Sequence, residues 1–282
     1  MLKPTSFPNG AQLLGAHAEG PFLSPSRKGA HDESLFKRPE EHTAEDVYGV
    51  ENLDSSIKMV TVAPELAGAI DLISELYKKY DIQVSLGHSA ADYETGVSGL
   101  LAGAGVLTHT FNAMNPLHHR TPGLAGLITS DLSPYYSVIA DDIHLHPATL
   151  ALAYRADPAR CILITDAIEV GGLQDGVYAG HSQIPHPQRK VGSKVVIEGT
   201  EILIGGCSSI DECVQNLVAA SGCSLAQSVQ CVTENIVSLM GDLERGKLEV
   251  GRKADLVLLN DEGEVITTWL EGKMLFEIDW ND

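Results

Sequence analysis

Short apolar, β-branched runs alternate with helix-period segments along most of the chain. The runs Gln12–His17, Lys58–Val62, Ile82–Leu86, Gly105–Thr108, Tyr136–Ala140 and Cys161–Thr165 are expected strands. Their spacing leaves room for little more than a strand, a helix and two loops, which predicts parallel βα units. Between the second and third runs, Leu66, Ile70, Ile73, Tyr77 and Tyr80 follow at steps of four, three, four and three, the buried stripe of a helix. Ser89 with Asp92 reads as a capping pair for the next helix, and Ser209 with Glu212 as a capping box for a helix that stops at Gly222. Helical patterning continues from about Leu225 to Met240. Beyond Gly241 the pattern changes to Lys247–Leu248, Ala254–Leu259, Val265–Leu270 and Lys273–Phe276, separated by Gly and Asp turns, which reads as a small β appendage. The stretch Gly180–Gly199, with Pro185, Pro187 and Gly192, reads as a loop or hairpin insertion. Two regions are therefore expected, residues 1–243 and 244–282.

Ligand-type residues fall at the ends of these strands: Glu19, Glu65, His88, His109, Asp141 with His144, and Asp166. In a parallel barrel every strand end faces the same side, so residues distant in sequence meet in one pocket. Singly, each has an ordinary explanation. A lone strand-end His is commonly bonded within a turn, Glu19 before Gly20 and Pro21 suits a solvated loop, and Asp166 suits a helix cap. Jointly, a carboxylate and two imidazoles form a zinc-type ligand set with a position left for water.

Composition narrows the possible partners. The 282 residues are 44% hydrophobic and 20% charged, ordinary for a globular protein, and no apolar run reaches the roughly 18 residues of a membrane-spanning helix. Lys and Arg number 19 against 38 Asp and Glu, and the net charge of −19 argues against nucleic acid and anionic lipid as partners. An anionic substrate needs a local cluster of Arg, Lys or His. Five cysteines without CxxC spacing read as reduced, packed thiols and point to a cytoplasmic protein. The first ten residues, Met1–Gly10, carry no apolar signal core and read as a loop.

The local strings Gly15–Phe22 (GAHAEGPF), Lys28–His31 (KGAH), Ala63–Glu65 (APE), Gly87–Ser89 (GHS), Thr108–Met114 (THTFNAM), Arg120–Gly123 (RTPG), Ala140–His144 (ADDIH), Thr165–Ala167 (TDA) and the closing Gly246–Leu259 segment occur in order. Together they resemble the N-acetylglucosamine-6-phosphate deacetylase family of the amidohydrolase superfamily. The resemblance implies an α/β fold, a TIM-type (β/α)8 barrel with a small β-sandwich appendage. It implies one divalent metal per subunit, most simply Zn2+, held by Glu19, His88 and His109, with Asp166 as general base and acid. It implies substrate contacts from His31, Asn112, Ala113, Arg120, His144, Leu203, Ile204 and Gly205, and a homodimer in which a neighbouring subunit supplies part of the phosphate site. Arg120 is the natural bidentate partner of a phosphate. His118, His119 and His146 are read as bystanders. The products would be acetate and glucosamine 6-phosphate.

Two departures from the family pattern stand out. The substrate loop Leu203–Gly206 carries Ile204 where the family has a small residue. The family also has two strands ahead of the Glu19 strand, the first bearing a His-x-His pair or its polar replacement. Here only a short leader precedes Glu19, so the chain is expected to be incomplete and at best weakly active alone. The competing readings are a non-catalytic, partner-binding isoform and another amidohydrolase acting on cyclic amides.

Overall fold

Six parallel strands carry the expected chemistry. The structure is a computed structural model and describes residues 3–7 and 10–278, so part of the leader read as a loop lies outside the described residues. The strands are β1 (Ala16–Glu19), β2 (Ile57–Val62), β3 (Gln83–Leu86), β4 (Ala104–Leu107), β5 (Tyr135–Ile139) and β6 (Cys161–Ile164), and they lie side by side in chain order. Register climbs across the sheet: Glu19 pairs with Thr61, Thr61 with Ser85, Ser85 with Val106, and Val106 with Tyr135. The last residue of β1 is thus level with the first of β5, the stagger that tilted strands need in a curling sheet. β1 and β6 form its two edges.

The helices α1 (Ala44–Tyr48), α2 (Val50–Ser55), α3 (Ala69–Tyr80), α4 (Tyr93–Ala102), α5 (Pro147–Ala156), α6 (Ile210–Ser221), α7 (Leu225–Gln230) and α8 (Glu234–Met240) pack around this sheet. Its main core joins Val60, Val62, Val84, Leu86, Leu107 and Val138 of the strands to Leu72, Ile73, Leu76, Leu150 and Leu217 of the helices. On the other face, Val106 and Ile162 meet Leu239 of α8. An insertion between β6 and α6 forms a four-stranded antiparallel sheet of β7 (Gly176–Tyr178), β8 (Gln188–Val191), β9 (Lys194–Ile197) and β10 (Leu203–Gly206). The chain closes with antiparallel β11 (Leu256–Leu259), β12 (Val265–Leu270) and β13 (Lys273–Glu277).

Several sequence expectations are corrected. The α3 stripe is rotated: Ala69, Leu72, Ile73 and Leu76 are its buried residues, while Tyr77 is 44% exposed. Two tyrosines drew the expected stripe toward a flank where amphipathic rings keep a polar tip in water, and the Tyr80 hydroxyl donates to Glu45 at 2.6 Å. Helix α4 is capped by Asp92 alone, whose Oδ1 accepts from the Thr95 N–H at 2.8 Å. Ser89 is used elsewhere, in the candidate site. The Ser209–Glu212 box is present, with Glu212 accepting from the Ser209 N–H at 2.8 Å, and left-handed Gly222 ends α6. The first strand begins later than expected because Leu13 pairs with Thr5 and the ladder with β2 starts at Ala16. The 225–240 segment divides into two helices, and Lys247–Leu248 is not a strand.

Tyr136, at the start of the β5 core, ties this strand to the end of α5. Its hydroxyl faces the carbonyls of Ala153 at 2.8 Å and Asp157 at 2.7 Å, and accepts from the Asp157 N–H at 3.1 Å. Burial pushes its phenol pKa upward, which keeps the donor in place. Tyr136→Phe leaves these buried carbonyls without their donor and is expected to cost about 1–3 kcal/mol, read as a lower urea midpoint with unchanged slope. An unchanged midpoint would mean that the hydroxyl does not anchor α5.

Candidate active site

Glu19 ends β1, whereas His88 and His109 sit in the turns that follow β3 and β4. His109 Nε2 lies 2.9 Å from Glu19 Oε1 and 3.1 Å from His88 Nε2, and His88 Nε2 lies 3.2 Å from the same carboxylate oxygen. Three donor atoms thus form a nearly equilateral triangle. Both imidazoles are almost fully buried, and the Glu19 side chain is about a quarter exposed. Burial alone would raise the Glu19 carboxyl, but the two imidazoles hold it well below the usual range. Burial alone would lower His109, but contact with Glu19 and the charge of Asp166 lift it to about 9. Glu19 and His88 also lie within 4.8 Å of a ring nitrogen of His31, which stacks edge-on against His88. His31 is therefore a neighbour of the cluster, but His109 makes the shorter contacts.

The donor set fits a divalent cation. A carboxylate oxygen and two imidazole nitrogens converge on one point, and the far nitrogen of His88 is already engaged, its Nδ1 2.7 Å from the Arg27 carbonyl. Such a contact fixes the tautomer and aims Nε2 inward. The backbone supports the same reading. His88, His109, Phe111, Ala113 and Asp166 all have φ between 29° and 79°, a region unfavourable for side chains with a Cβ, and they cluster in the loops above the strands. Such strain persists where the surroundings over-determine it, as they do at functional sites.

Glu65, expected among the strand-end ligand types, holds the His88 loop instead. It accepts from Ser89 Oγ and from the Ala90 N–H, both at 2.6 Å. Asn115 closes the far side, donating to the Ala90 carbonyl at 2.7 Å and accepting from Arg27. The Ser89 N–H donates to the Ala113 carbonyl at 3.0 Å, so the His88 turn and the 109–115 loop form one unit. Asp141 likewise serves His144: its Oδ2 lies 2.7 Å from His144 Nδ1, and its Oδ1 accepts from the N–H groups of Ile143 and His144. Asp166 is fixed by β10. Its carbonyl accepts from the Gly206 N–H at 2.7 Å, an approach that a Cβ at Gly205 would block by lying 2.6 Å from the same oxygen.

A cavity of about 450 Å³ opens over the triangle. It is lined by Glu19, His31, His88, His109, Asn112, Ala113, His144, Asp166, Leu203, Ile204 and Gly205, which brings together all but one of the residues that the family resemblance assigns to the site. Asn112 Nδ2 is buried there without a partner. Ile204 is 4% exposed and packs with Val170, Val195 and Ile197, so most of its extra bulk enters the core of the insertion. The exception is Arg120, which is exposed on a loop outside the cavity, its Nη1 2.9 Å from His119 Nε2. Sequence reasoning misses the wall formed by Glu169, His181, Gln183 and Ile184. The available signal was an irregular insertion carrying His181 and His186 between the Asp166 turn and the next helix.

Sheet, strand-end side chains and cavity form a candidate metal site at the carboxyl end of a parallel sheet. The sequence matches the amidohydrolase family over residues 9–275, and the chain belongs to that family. Within it, the chain is similar to N-acetylglucosamine-6-phosphate deacetylases. The bovine protein of that name is 37% identical over 279 residues, covering 96% of this chain and 67% of the relative. The crystal structure of the deacetylase from Thermotoga maritima superposes with a TM-score of 0.84 at 30% identity, covering 94% of this chain and 70% of the other. A mutant deacetylase from Mycobacterium smegmatis in complex with N-acetyl-D-glucosamine-6-phosphate gives 0.83 at 31% identity, covering 93% of this chain and 68% of the other. The chain spans about two thirds of the length of these relatives. Among the described residues, no helix is long and apolar enough to cross a membrane.

Glu65→Ala is expected to leave the sheet intact and weaken divalent-metal affinity about 10–100-fold, as loss of a ligand-orienting contact does. Competition with a chromogenic chelator measures this. Unchanged affinity would mean that the Glu65 contacts do not orient His88.

Proposed function

We propose that this chain hydrolyses the acetamide of N-acetylglucosamine 6-phosphate, giving glucosamine 6-phosphate and acetate. The observation that carries the reading is the triangle of Glu19, His88 and His109 beside Asp166, in a chain 37% identical to a deacetylase of that name. The three side chains hold one divalent cation per subunit, and the mixed imidazole and carboxylate set favours zinc. When bound, the cation supplies Lewis acidity toward the acetamide carbonyl and acidifies a water. Asp166 accepts the proton of the attacking water and returns it to the amine nitrogen as the C–N bond breaks. Held by Asp141, His144 presents its outer ring nitrogen to the substrate, and His31, Asn112 and Ala113 complete that wall. Leu203, Ile204 and Gly205 line the same cavity, with Gly205 packed against Asp166.

Arg120 is assigned to the phosphate. Because it lies outside its own cavity, the reading includes a homodimer in which each Arg120 serves the partner's site. The six parallel strands are read as six of the eight in a (β/α)8 barrel, within residues 1–243. Residues 244–282 then supply part of a small β domain. The cytoplasm is the expected compartment for a phosphorylated sugar substrate and unpaired cysteines.

Acetate release from N-acetylglucosamine 6-phosphate tests the activity directly. Asp166→Asn is expected to bind the sugar phosphate while losing about 10²–10⁴-fold in turnover. A loss below about tenfold would remove Asp166 from the role of base. Arg120→Ala is expected to weaken the phosphorylated substrate far more than N-acetylglucosamine itself, and equal losses would show that it does not read the phosphate.

A further inference from the structure

The insertion places a polar pair in the cavity wall that the deacetylase reading leaves without a role. Glu169 and His181 both line the cavity over the triangle. Glu169 follows Asp166 by three residues, a span of at most about 10 Å, and both line the one cavity. His181 reaches it from the loop before β8, and that loop is fastened across the cavity by the Asp32 N–H, which donates to the Gln183 carbonyl at 3.0 Å beside His31.

The pair is built from behind. Gln188 of β8 is completely buried, and its Nε2 donates to Glu169 Oε1 at 2.9 Å. His181 Nε2 lies 3.2 Å from that same oxygen, within ion-pair distance, and His181 Nδ1 accepts from the Gln183 N–H at 3.2 Å, which leaves the ring proton on Nε2. Both side-chain braces fall on Oε1, and Oε2 has no side-chain partner among the described residues. The other end of the Gln188 amide, Oε1, is a buried acceptor without a partner. An amide buried half-satisfied lowers stability, so it is poorly explained by the fold alone and well explained by the carboxylate it holds. Burial pushes the Glu169 carboxyl up, but its own N–H, Gln188 and His181 bring it below the usual value.

A half-exposed carboxylate braced through one oxygen leaves the other to accept hydrogen bonds from hydroxyls, and it repels a phosphate. We propose that Glu169, braced by Gln188 and His181, is a specificity residue that accepts a hydrogen bond from a ring hydroxyl of the amino-sugar substrate. The proposal rests on the deacetylase reading of this site. It also assigns a direction to the substrate: the sugar ring faces the insertion, and the phosphate lies away from it.

The test compares kcat/KM for N-acetylglucosamine 6-phosphate and its 3-deoxy and 4-deoxy analogues in wild type, Glu169→Ala and Glu169→Gln. Wild type is expected to lose about 10–100-fold on one of the two analogues, the scale of a charged hydrogen bond. Glu169→Ala is expected to treat that analogue and the parent within about twofold, and Glu169→Gln, which keeps the acceptor without the charge, to retain part of the discrimination. The proposal is overturned if wild type does not discriminate, or if Glu169→Ala discriminates as wild type does. Should wild type fail to hydrolyse the parent compound, the deacetylase reading itself fails and takes this proposal with it.

Discussion

Glu19 and His109 are 90 residues apart and His88 and His109 are 21 apart, yet the three donor atoms lie within 3.2 Å of one another. Chain proximity cannot achieve this; a parallel sheet with climbing register can, because it turns every strand end to one side while curling the outer strands toward each other. Everything else at the site depends on that geometry. The short, strained turns after β3 and β4 then bring His88 and His109 together, and the one after β6 puts Asp166 on the wall of the same cavity.

Electrostatics explains why so much support surrounds the triangle. A carboxylate and two largely buried imidazoles are stable together only when their charges compensate, and here the imidazoles hold the Glu19 carboxyl down while Glu19 holds His109 up. The supporting groups work at one remove. The Arg27 carbonyl orients His88, Glu65 ties down its turn, and Asp141 holds His144. In a chain with a net charge of −19, the imidazoles of His31, His88, His109 and His144 around the cavity offset the surrounding negative field for an anionic ligand.

The strand order and the strand-end positions of Glu19, His88, His109 and Asp166 were legible in the sequence because apolar runs and polar termini alternate visibly. The family motifs then placed His31, Asn112, Ala113, His144 and Leu203–Gly205 around the same cavity. What was not legible depended on tertiary partners. Glu65 and Asp141 look like ligands in one dimension and prove to be supports, since only the folded loops reveal that their oxygens are already occupied. The rotated face of α3 had a local cause: two amphipathic tyrosines outweighed Ala69, Leu72 and Leu76 in the pattern. The hairpin reading of Gly180–Gly199 is met by β8 and β9, but no periodicity showed that β7 and β10 extend it to a four-stranded sheet or that the insertion walls the site with Glu169 and His181.

The central claim is that Glu19, His88 and His109 together hold a divalent cation. Anomalous diffraction at the zinc edge, from crystals of the protein loaded with zinc, tests it most directly. The account predicts a single strong peak at bonding distance, about 2.0–2.2 Å, from Glu19 Oε1, His88 Nε2 and His109 Nε2. A peak coordinated by His31 in place of His109, or no ordered peak within reach of Glu19, would contradict it.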